Sequence, residues 1–117
     1  MKKQDQMKEL AALTDMVFAA TSAETQKLAA RQTELKSALQ VLRTDAAAGQ
    51  QYLTEDVQLR MSQVDVLWQA WLGTQARVLN QELAQVSAQR ARQMRDLRIA
   101  FGRKEAAAGL VGRKRGV

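Results

Sequence analysis

Between Val57 and Phe101 the chain carries two interleaved rows of residues seven apart, Val57, Val64, Trp71, Val78 and Met61, Trp68, Gln75. The stretch has no proline and one glycine, Gly73. A seven-residue step returns a side chain to one helix face every two turns. The pattern therefore predicts one long helix whose apolar seam requires a partner helix. Both tryptophans fall on that seam, one turn apart. Proline is absent from all 117 residues, which argues against a loop-rich or strand-rich fold. Apolar residues make up 46% of the chain, but much of that is alanine and aromatics are only 4%, so a compact core would be thin. An elongated helical pair, which buries only a seam, fits this composition better.

The partner helix is sought upstream. Leu10, Leu13, Val17 and Ala20 follow 3-4-3 spacing, and Leu28, Leu35 and Leu42, with Leu39 beside them, keep the seven-residue step. Val17 to Leu28 is eleven residues, which reads as a stutter that locally unwinds a supercoil. Leu83 to Met94 and Val86 to Leu97 give two more eleven-residue steps. Gly49 is the natural C-terminal stop, and Thr54 a good N-cap with Glu55 and Asp56 in the first turn that follows. The fold class expected is all-α, an antiparallel two-helix coiled-coil hairpin in a single domain over residues 1–117. Helix one spans about 6–47, the turn about 48–53, helix two about 54–108, and a basic flexible tail 109–117. A turn centred on Gly49 makes residue i face roughly residue 99 − i. Residues beyond Met94 then overhang without a partner by roughly 15–20 Å.

No cysteine or histidine is present, which removes thiol nucleophiles, imidazole bases and most transition-metal sites. The carboxylates form no pair in a plausible cleft, and the late glycines lack the phosphate-loop pattern. No catalytic, cofactor or metal residues are expected, and no enzyme. No secretory core or spanning segment is read, so the cytoplasm is the expected compartment. The charge of +6 is uneven: residues 90–117 hold nine Lys/Arg against two Asp/Glu.

Two features invite partners. Trp68 and Trp71 read either as seam packing inside the hairpin or as a docking face extended by Leu72 and Gln75. The basic segment, with Arg95, Arg98, Arg103 and Lys104, reads as dipole compensation or as a surface for an acidic protein, nucleic acid or anionic lipid. Phe101 is its only aromatic, which weakens the nucleic-acid reading.

The layout of residues 7–108, with LWQAWLGTQARVLNQEL at 67–83 as the closest local match, resembles the FliJ-type export stalk proteins of the bacterial flagellum and their YscO-type injectisome counterparts. The resemblance implies a small cytoplasmic hairpin, peripheral at the inner-membrane export apparatus, that couples a hexameric export ATPase to the export gate. It implies gate binding on Trp68, Trp71, Leu72 and Gln75, and ATPase contact through Arg95, Arg98, Arg103 and Lys104. Two alternatives stand beside it: a basic coiled-coil module for nucleic acid or an acidic partner, and a self-associating four-helix dimer. Monomer and homodimer are both left open.

Overall fold

The computed structural model describes residues 2–58 and 63–115, with side chains described as far as Gly112. The fold is all-α, an antiparallel pair of helices: α1 spans Lys2–Glu55 and α2 spans Val64–Arg115. Contacts group into two compact units. Unit 1 comprises Met1–Ala29 with Ala88–Val117, and unit 2 comprises Ala30–Ser87.

α1 is longer than its local signals predict, and α2 both starts and ends later than expected. α1 does not stop before Gly49; it continues to Glu55. Thr54, expected as an N-cap, donates its hydroxyl to the Gln50 carbonyl at 2.8 Å inside α1. The connection lies instead at 56–63. Asp56 accepts the Gln58 backbone N–H at 2.9 Å, an Asx turn that leads the chain out of α1. Gln63 takes φ 65°, in the left-handed region, and its carbonyl accepts the N–H groups of Val66 and Leu67 to start α2. Asp65 places negative charge in that first turn. At the far end α2 runs through Arg115, so residues 109–115 are helical rather than a flexible tail, while Gly116 and Val117 lie outside the described residues.

The seam differs from the apolar pattern, and in α1 the difference removes the stutter. In α1 the shielded positions step by three and four without a break from Gln4 to Leu53, passing through Thr14, Phe18, Thr21, Thr25, Leu28, Gln32, Leu35 and Leu39. Leu10, Leu13, Val17 and Ala20 sit one residue before that row and are exposed. The apparent eleven-residue step is a heptad row whose seam places are held by threonines, and Thr25 is buried with its hydroxyl on the Thr21 carbonyl at 2.8 Å. In α2 the row Asp65, Leu72, Leu79, Val86, Gln93, Ala100, Ala107 keeps the seven-residue step throughout. The second row, Trp68, Gln75, Glu82, resumes one residue late as Arg90, Leu97, Lys104, Val111. Polar side chains again fill the places where the apolar pattern lapses.

Within unit 2, Gln32 Nε2 donates to Ser87 Oγ at 3.0 Å and Gln69 Nε2 to Gln50 Oε1 at 2.6 Å, so residue i faces residue 119 − i. Arg31 forks to Glu82 at 2.6 Å and to Glu34 at 3.1 Å. Those hydrogen bonds, Glu82 first, raise the guanidinium above its ordinary value. Leu35, at 2% exposure, is the most deeply buried large side chain, with Leu39, Leu53 and Val86 also buried.

Within unit 1, Phe18 and Phe101 meet in tilted contact with ring centroids 5.8 Å apart, and Lys104 Nζ lies 4.6 Å over the Phe18 ring. Ala100 and Ala107 are buried. The expected overhang beyond Met94 is therefore absent: α2 is paired with α1 at least as far as Ala107. The overhang followed from placing the turn ten residues too early, which shifts the facing residue by twenty.

Candidate functional site

The aromatic pair of unit 2 is built from the turn outward. Gly49 continues the seven-residue row of Leu28, Leu35 and Leu42, and its lack of a side chain is used. A Cβ there would come within 2.6 Å of Trp68 Cε2 and Cζ2 and 2.7 Å of Nε1. The indole of Trp68 thus occupies the space that a side chain at Gly49 would need. This close approach explains a glycine inside a helix, where it costs about 1 kcal/mol relative to alanine. Trp68 Nε1 is shut in with no hydrogen-bond acceptor, so the contact is made at the expense of a buried donor. Trp71 stacks on Trp68 with centroids 5.5 Å apart and planes 17° apart, and remains 49% exposed.

Both sequence readings of the tryptophans describe part of this arrangement. Trp68 packs in the seam, and Trp71 presents a ring outward from it. Leu72 and Gln75 are half-buried on the seam rather than extending an open face. The exposed apolar surface comes instead from neighbours absent from the expected docking set. Tyr52 is 73% exposed and Leu67 71%, and Val57, Val64 and Val66 are exposed as well. Met61, on the expected seam, lies outside the described residues. Gly49, Tyr52, Leu53, Val64 and Trp68 line a hollow of about 180 Å³ beside the stacked rings. The available signal was the heptad step itself, which continues from Leu28, Leu35 and Leu42 to Gly49 and so places Gly49 on the seam.

The basic set is divided. Arg95, Arg98 and Arg103 are exposed, and Lys104 is half-buried by its seat on Phe18. Unit 1 as a whole carries thirteen Lys/Arg against six Asp/Glu, a net +7, and unit 2 five against six. The two sequence-predicted sites thus belong to different units, one apolar and aromatic and one basic. Among the described residues no cluster of three or more Asp or Glu is placed to hold a metal ion, and no helix is long and apolar enough to cross a membrane.

No family model, curated protein or solved structure matches the chain.

Proposed function

We propose that the chain is a non-enzymatic coiled-coil stalk of a flagellar-type protein export apparatus, coupling a hexameric export ATPase to the export gate in the cytoplasm, at the inner membrane. The observation that carries the reading is Trp71. It is a half-exposed aromatic stacked on a second tryptophan that the Gly49 backbone holds in place. Rigid aromatics ringed by exposed aliphatic side chains are the usual anchors of protein interfaces, because they bury a large area at small entropic cost. Trp71 and Leu67 are the gate-binding residues in this reading, with Trp68 holding Trp71 in position. Arg95, Arg98 and Arg103 meet an acidic surface of the ATPase, with Lys104 beside them.

The test is binding of the full chain to the purified cytoplasmic domain of the gate protein from the same host. The double variant Trp71→Ala/Leu67→Ala is expected to weaken binding at least tenfold. Because Leu67 is largely exposed and Trp71 half-exposed, its stability should fall by less than about 1.5 kcal/mol. Binding unaffected by the variant removes the gate assignment. A collapse of helicity in the variant returns Trp71 to a structural role. If the chain instead retains duplex DNA, with affinity falling at a slope near −0.9 per phosphate contact on a log–log salt plot, the basic-module reading takes its place.

A further inference from the structure

We propose that a groove along one side of unit 1 is the docking site for an acidic amphipathic helix of another protein. Its first wall is the row the seam leaves out: Leu10, Leu13 and Val17 are 44%, 57% and 46% exposed. With Ala20 they keep the 3-4-3 spacing of a second seam beside the first. That spacing is what a further helix packs against when a pair becomes a bundle. The second wall is on α2, where Ile99 is 52% and Leu110 40% exposed, with Arg103 between them in the same row. The two walls meet in a hollow of about 310 Å³ lined by Val17, Thr21, Asp96, Ile99, Ala100 and Arg103. The stripe from Leu10 to Ala20 is about 15 Å long, enough for two to three turns of a partner helix.

Charge selects the occupant. Among the described residues no carboxylate lies within ion-pair distance of Arg103, which stands in the middle of the apolar stretch. Arg92 follows along the same side, lining the next hollow with Glu24 and Asp96, and Glu24 is itself engaged by Lys27 at 3.5 Å. A second copy would set one +7 unit against another. A helix with an apolar 3-4 row flanked by Glu or Asp covers the leucines and satisfies Arg103 together. The groove shares Arg103 with the ATPase contact of the stalk reading but none of its gate-binding residues, which are in unit 2, and binding of a helical peptide tests the groove apart from either stalk partner.

The probes are two three-heptad helical peptides with the same leucine row, one flanked by glutamates and one by lysines, titrated against the full chain by fluorescence anisotropy. The glutamate peptide is expected to bind at least tenfold tighter than the lysine peptide. Val17→Glu is expected to cost it at least tenfold, and Arg103→Glu to reverse the preference. Tyr52→Glu, in unit 2, should leave both unchanged. Leu13→Gln reads the same face should Val17→Glu lose helicity. Equal binding of the two peptides overturns the proposal, as does indifference to both unit 1 wall variants. Self-association of the chain that Val17→Glu abolishes also overturns it, because a second copy would then be the occupant.

Discussion

Alanine at Leu35 is expected to lower the unfolding free energy by about 2–5 kcal/mol, while alanine at Leu13 changes it by no more than about 0.5 kcal/mol. Both leucines lie in apolar rows with coiled-coil spacing, so composition and pattern do not separate them. Position does. Leu35 is 2% exposed on the seam, and its truncation leaves a cavity that two stiff helices cannot collapse onto. Leu13 is 57% exposed and its truncation removes little buried area. The loss at Leu35 is a large share of the ~5–15 kcal/mol that a domain of this size holds in total. Urea midpoints of the two variants check this, and equal losses would mean that the two rows share the seam.

Gly49→Ala is expected to destabilise the hairpin by about 1–3 kcal/mol, although alanine is the better helix former by about 1 kcal/mol. The new Cβ would have to displace the Trp68 indole from 2.6 Å, and Trp71, stacked on it, would lose its support. Gly73 is the matched control. It is also helical and has nothing within 4 Å of a built Cβ, so Gly73→Ala should gain the full propensity term of about 1 kcal/mol. Opposite signs at two helical glycines report the tryptophan contact and nothing else. The same Gly49 variant should weaken gate binding under the proposed function, because Trp71 would no longer be held. Stabilisation at both positions would show that Trp68 does not rest on Gly49.

The helical pairing was legible because it rests on spacing: a proline-free chain with leucines at 28, 35 and 42 admits few other folds. The positions of the turn and of half the seam were not. Gly49 is a stop signal by local propensity, and only the tryptophan across the hairpin makes it a continuing helix position. Thr14, Thr21 and Thr25 hold seam places while Leu10, Leu13 and Val17 stand outside, so the more apolar row is the less buried one. Threonine tolerates this because its hydroxyl bonds back into its own helix, as at Thr14 to Ala11 and Thr25 to Thr21. One misplaced turn then displaced every facing pair and produced an overhang that does not exist. At the candidate site the tryptophans were legible as large residues on a thin pair. Tyr52 and Leu67 were not, because their exposure follows from where α1 ends, at Glu55, and α2 begins, at Val64.

The register carries both the aromatic site and the groove, and it is open to direct measurement. The chain has no cysteine, so pairs can be introduced cleanly. With Gln32→Cys/Ser87→Cys, a short bismaleimide should close an intramolecular link rapidly and nearly completely in the dilute protein. Gln32→Cys/Leu67→Cys should give none, since its two positions are displaced by twenty residues of helix, about 30 Å. Linking of the second pair and not the first would move the turn back to Gly49, take Trp68 off its glycine and leave the C-terminal part of α2 unpaired.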